Sequence, residues 1–126
     1  MIEIPYIESL RGGATAAILA ADLDVKTELA QETARRWFAR TLSMRSPRDP
    51  ALPVRPGRPE KPDLIPPKHM EKRSLHTEKG RIALLHALAH IELNAVDLAL
   101  DIVARFTTER VPHSFFDGWM QVAFEE

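Results

Sequence analysis

The feature that most constrains this chain is the stretch GRIALLHALAHIELNAVDLALDIVARF, residues 80–106, which reads as one long helix. At about 100° per residue, Leu85, Leu88, Ala89, Ala95, Val96, Ala99 and Val103 share a face. An apolar face of that length is expected to be buried. Glu92 stands in the middle of it. A lone buried carboxylate is costly unless it is paired, protonated or bound to a metal. The last residue repeats the pattern, since Phe115, Trp119, Val122 and Glu126 follow one another on a second helical stripe. Inward-pointing Glu residues on neighbouring helices are how helical bundles build carboxylate metal sites. Glu92 and Glu126 are therefore the candidate metal ligands. For Glu92 the alternatives are a protonated acid, an Arg-paired acid, or a helix rotated so that it faces solvent.

A chain of 126 residues fits one domain. Its 17 basic and 18 acidic residues nearly cancel, so no global field draws it to nucleic acid or acidic lipid. The absence of Cys removes disulfides, zinc–thiolate sites and cysteine nucleophiles, and suits a reducing cytoplasm. The apolar run ATAAILAA (14–21) follows an acidic stretch with Pro5 and only Arg11 positive, which is not a secretory signal. His86, His90, Glu92, Asp97 and Asp101 exclude the long helix as a membrane span. A Gly-rich phosphate loop, a G-x-S-x-G elbow and a Ser/His/Asp signature are all missing, so a nucleotide enzyme or serine hydrolase is not supported.

Three regions organise the chain. Residues 1–45 predict helices, a short one before Asp22 and a longer one from about Asp24 to Leu42. Asp22 or Asp24 would cap the second, and Arg35, Arg36 and Arg40 would sit at its C-terminus. Gly12-Gly13 breaks or begins the first. Residues 46–76 hold eight of the ten prolines, which forbids helix and favours extended chain. Leu52, Val54, Leu64, Ile65 and Met70 are apolar anchors, so an ordered strap across the helices is expected rather than a solvated linker. In residues 77–126, Thr77 caps a helix from about Glu78 to Phe106, a turn spans Thr107 to Pro112, and a further helix starts near Ser114 or Phe115. That last helix has no C-terminal cap, and the chain reads as cut off.

Other constellations have plainer readings. His86 and His90 have an i, i+4 spacing that can clasp zinc, but Ala-Leu-Ala between them lacks the Glu of His-Glu-x-x-His peptidases. His90 points about 160° away from Glu92, so the two cannot share an ion. Both histidines are expected to lie under the Pro-rich strap and bond its carbonyls. Asp97 and Asp101 repel at i, i+4 and call for Arg73, Arg81 or Arg105 as partners. Lys68, His69, Lys72, Arg73, His76, Lys79 and Arg81 form a basic patch that Glu71 and Glu78 interrupt and no aromatic interleaves, so nucleic-acid contact is not expected. Trp37, Phe38, Phe115, Phe116 and Trp119 are core aromatics.

The runs PGRPEKPDLIPPKHMEKRSL (56–75), GRIALLHALAHIELNAVDLALDIVARF (80–106) and FFDGWMQVAFEE (115–126), with ADLDVKTELA and ARRWF upstream, resemble an uncharacterised ferritin-like family catalogued only as a domain of unknown function. The resemblance implies an all-α, ferritin-like helical bundle related to di-iron carboxylate oxidases and hydroxylases, among them a tRNA-modifying hydroxylase. In such bundles the first core helix gives one Glu and the second gives Glu-x-x-His, and the other two repeat this. Glu92 matches the first-helix position as a terminal ligand and Glu126 the second as a bridging one, with Glu125 beside it. The matching His would fall beyond residue 126, and the third and fourth core helices are missing. At best two of about six ligands are present.

Two functions follow. One is an O₂-dependent oxidoreductase or hydroxylase of unknown substrate, with two iron (or manganese) ions in a full-length parent and this chain alone inactive. The other is a non-catalytic helical scaffold, or a half-bundle that completes itself by self-association.

Overall fold

A computed structural model describes residues 7–59 and 76–125. Among them the chain is all-helical: α1 spans Leu10–Leu19, α2 Leu23–Phe38, α3 Glu78–Phe106 and α4 His113–Glu125. Each of the first three starts at a polar cap. The Ser9 hydroxyl accepts from the Gly12 N–H at 2.8 Å, Asp22 accepts from Asp24 and Val25, and the Thr77 hydroxyl accepts from Gly80 at 3.0 Å. The expected bounds of α3 hold. Gly12 and Gly13 sit in the first turn of α1, and space explains them: a Cβ on Gly13 would lie 2.4 Å from Thr33 Oγ1.

The expected run of α2 to Leu42 is not observed, since the helix ends at Phe38. Arg40 adopts φ 60°, and the Arg40 and Thr41 N–H groups close back on the Trp37 and Arg36 carbonyls at 2.9 and 3.1 Å. This left-handed cap favours glycine. Arg40 is held there by its two hydrogen bonds to Asp117 on α4, at 2.8 and 2.9 Å.

α1 packs against α2 and α3, and α4 packs against α3 and α2. Ala14, Ala17, Ala30, Ala34, Ala99 and Ala104 are all buried, so the backbones approach closely and the bulk comes from Trp37, Phe116, Leu100 and Met120. Each such large side chain contributes about 1.5–3 kcal/mol by burial.

The predicted apolar face of α3 is buried over its second half only. Val96, Ala99 and Val103 are buried, whereas Ala89 and Glu92 are exposed, with Leu85 at 64% and Leu88 at 47%. Length accounts for this. A helix of 29 residues runs about 43 Å, whereas the 10 residues of α1 and 13 of α4 span about 15 and 20 Å. These two neighbours cannot cover the N-terminal turns of α3. No helix among the described residues is long and apolar enough to cross a membrane.

Candidate functional site

The most concentrated chemistry in the described residues is a buried charge cluster joining four segments. Lys26 occupies the inward stripe of α2 with Leu29, Ala30, Thr33 and Trp37, and is 1% exposed. Its Nζ donates to Asp97 Oδ1 at 2.8 Å and to the Ala17 and Ile18 carbonyls at 3.0 and 2.8 Å. All three ammonium protons are thus used. The two carbonyls belong to the last turn of α1, so Lys26 also places positive charge at the negative end of that helix. Burial draws the Lys26 pKa below its ordinary value, against the opposing pull of Asp97.

The second oxygen of Asp97 accepts from Arg58, whose other terminal nitrogen donates to Asn94 Oδ1 at 2.7 Å. Arg58 lies in the described part of the Pro-rich stretch, 46–59, which is non-helical. That segment is tied down further by Gly57 N–H to the Ile18 carbonyl at 2.7 Å and by Arg105 Nη2 to the Pro53 carbonyl at 2.7 Å. Of its expected anchors, Leu52 is half-buried and Val54 is 96% exposed; Leu64, Ile65 and Met70 lie outside the described residues. A cleft of about 290 Å³ runs between this segment and α3, lined by Pro53, Val54, Arg58, Asp97, Leu98 and Arg105. Every charge in the cluster meets an opposite one, and Lys26 has no free lone pair or open approach for nucleophilic work. The arrangement is a lock that fastens the Pro-rich segment and α2 onto α3.

Gly57 is the tightest point of that lock. A Cβ there would lie 2.3 Å from the Leu19 carbonyl oxygen, a backbone atom that cannot swing aside. Gly57→Ala is expected to cost roughly 1–3 kcal/mol in urea denaturation, by overpacking. Gly118→Ala, where nothing lies within 4 Å on an exposed helix face, should instead gain about 0.5–1 kcal/mol.

Glu92, the first predicted ligand, is exposed on α3 and forms no ion pair with another described residue. Glu126, the second, lies outside the described residues, as does the larger part of the basic patch, Lys68 to Arg73. Among the described residues no three His, Asp or Glu side chains stand close enough to hold a metal ion. His86 is exposed and His90 half-buried, and the chain expected to lie over them falls mainly in 60–75, again outside the described residues. The pairing expected for the two aspartates divides. Asp101 does pair with Arg105, at 2.8 Å, whereas among the described residues Asp97 takes Lys26 and Arg58 and neither Arg81 nor Arg105; Arg73 lies outside the described residues.

Lys26 and Arg58 are the site residues that sequence reasoning missed. A signal was available for Lys26, which sits at i, i+3, i+4, i+7 and i+11 spacing with Leu29, Ala30, Thr33 and Trp37 on an inward stripe. Arg58 offered none, because an Arg between prolines has no periodicity to place it.

Together the described residues define an all-helical, cysteine-free module with an electrostatic lock at its centre and a long helix that α1 and α4 leave exposed over half its length. The chain belongs to the family of proteins of unknown function DUF455, which matches residues 19–126. It is similar to an uncharacterized protein of Haemophilus influenzae, at 47% identity over 70 residues that cover 52% of this chain and 24% of that protein. The chain thus spans about a quarter of the length of the curated relative it matches. No solved structure matches the chain.

Proposed function

We propose that this chain supplies the first two core helices, α3 and α4, of a ferritin-like carboxylate bundle. In a full-length parent that bundle is a cytoplasmic, di-metal, O₂-dependent oxidoreductase. The observation that carries the reading is the placement of Glu92. It stands on the uncovered half of α3 beside Leu85, Leu88 and Ile91, a surface too apolar to serve as an ordinary solvated face. A bundle completed over that surface would enclose the carboxylate. In this reading the Pro-rich stretch is a strap, anchored by Arg58 and Gly57, that fixes α1 and α2 against the outside of α3.

Among the described residues no group of ligands for a metal centre comes together. Glu92 stands alone among the described residues, and carboxylate–imidazole sites for iron or manganese need several converging ligands. Anaerobic Fe(II) loading followed by elemental analysis tests the reading on this chain and on a full-length family member. About two irons are expected in the longer protein, near zero in this chain, and a loss of iron from the longer protein when the residue matching Glu92 is changed to Ala. If the longer protein takes up no iron, the oxidoreductase reading is lost and the non-catalytic scaffold stands.

A further inference from the structure

The cleft between the Pro-rich segment and α3 carries chemistry that the charge lock does not use. The segment is fastened at two points. The Pro53 carbonyl accepts from Arg105, and the Gly57 N–H and Arg58 donate to the Ile18 carbonyl and to Asp97. Between these points Val54, Arg55 and Pro56 make an exposed bow. Pro53 and Pro56 fix φ on either side of it, so stiff backbone holds the opening. Asn94, Asp97, Leu98, Asp101 and Arg105 on α3 form its floor. The volume of about 290 Å³ lies at the small end of ligand pockets, which run upward from roughly 300 Å³.

Charge in this cleft does not balance. Asp97 spends one oxygen on Lys26 and the other on Arg58, and both oxygens of Asp101 accept from Arg105 Nε. The guanidinium groups of Arg55, Arg58 and Arg105 thus line an opening with only two carboxylates, both already taken. Arg55 makes no hydrogen bond or ion pair with another described residue, and its whole donor fork is unused. Lys26, on the buried side of Asp97, adds a further positive charge. The other walls are apolar. Val54 on the segment is 96% exposed and Leu98 on α3 57%, so each side of the opening leaves a large aliphatic residue in water.

We propose that this cleft binds a small organic carboxylate with a short aliphatic body. The planar Arg55 fork takes the two carboxylate oxygens through parallel N–H···O bonds. The body lies between Val54 and Leu98 and removes their apolar surface from water. An inorganic anion would meet Arg55 but leave those two side chains wet, and a cation would be repelled by the excess positive charge. The site needs neither a metal nor a completed bundle, so it stands apart from the oxidoreductase reading.

Titration of the 126-residue chain with hexanoate, followed by NMR, tests this directly. Saturable shifts are expected at the Val54 and Leu98 methyl groups and at the Arg55 Nε–H. Hexanoate should bind about tenfold tighter than acetate or more, since each buried CH₂ is worth roughly fourfold. Hexylamine should not bind. Arg55→Gln, at an exposed position, should weaken hexanoate about tenfold with unchanged circular dichroism. Arg55→Lys should restore only part of that loss, because an ammonium lacks the planar fork. Leu98→Ser should abolish the preference for hexanoate over acetate while leaving acetate binding as it was. The absence of any saturable shift, an equal response to acetate or inorganic phosphate, or hexanoate binding that survives Arg55→Gln would each overturn the proposal. Iron uptake by a full-length relative bears only on the metal reading, so the two fail separately.

Discussion

Asp97→Ala is expected to destabilise the chain by about 3–5 kcal/mol in urea denaturation followed by circular dichroism, a large part of the stability of a domain this size. The reason lies in what remains. Lys26 would keep its charge at 1% exposure with only two backbone carbonyls, and Arg58 would lose the carboxylate that draws it onto α3. A buried ion pair is weak evidence of net stabilisation, but removing one member strands the other. Lys26→Met/Asp97→Leu should therefore recover most of the loss, because two matched apolar side chains replace two desolvated charges. A loss under about 1 kcal/mol for Asp97→Ala would mean that water reaches Lys26, and the lock would have to be redrawn.

The same pair sets a pH signature whose sign is fixed by burial. Desolvation lowers the Lys26 pKa below its ordinary 10.5, outweighing the hydrogen bond and charge of Asp97 that raise it, and Arg58 lowers it further. Between the lowered value and 10.5 the unfolded chain binds more protons at this position than the folded one. Stability contributed by Lys26 therefore rises with pH across that alkaline window and is flat below it. Compared with Lys26→Met, the parent chain should gain stability as pH climbs toward 10.5. A parallel course for the two proteins would show that Lys26 is not desolvated.

The long helix was the most legible part of the sequence. Thr77 supplies a side-chain acceptor at its start, the apolar spacing continues on both sides of Glu92, and Phe106 precedes a turn that Pro112 enforces, so both bounds could be read. The end of α2 could not be read, because a left-handed cap built on Arg40 carries no glycine to announce it. The apolar stripe around Glu92 was legible as a pattern, yet a pattern says only that a face is suited to burial. What covers it depends on the lengths of α1 and α4, and those helices stop short. Lys26 was overlooked for a related reason. A single Lys on an apolar stripe ordinarily extends its stem and leaves its head in water, and only the nearness of α1's C-terminus and Asp97 holds this one inside.

Trp37→Ala is expected to cost about 3–5 kcal/mol, the range for emptying a buried aromatic site. Trp37 is 2% exposed and is the hinge between α2 and α4. Its ring meets Phe116 edge-on at 6.1 Å between centroids and His113 at 5.3 Å, with the Arg40 guanidinium 5.1 Å from the ring centroid. Its Nε1 donates to Asp117 Oδ1 at 2.8 Å. Arg40, by hydrogen bonding, and then Trp37 hold the Asp117 carboxyl below the usual carboxylate range. Packing and hydrogen bonding can be separated here. Trp37→Phe keeps an aromatic against Phe116 but leaves Asp117 to Arg40 alone, and because that carboxylate is partly exposed its loss should be only about 1 kcal/mol beyond the ring's lost volume. If Trp37→Phe proves as costly as Trp37→Ala, α4 is held by the Asp117 hydrogen bond more than by apolar contact. Asp117→Ala would then have to match it. If Trp37→Phe is mild, the α2–α4 contact is a packing joint, held by the burial of an aromatic ring against Phe116.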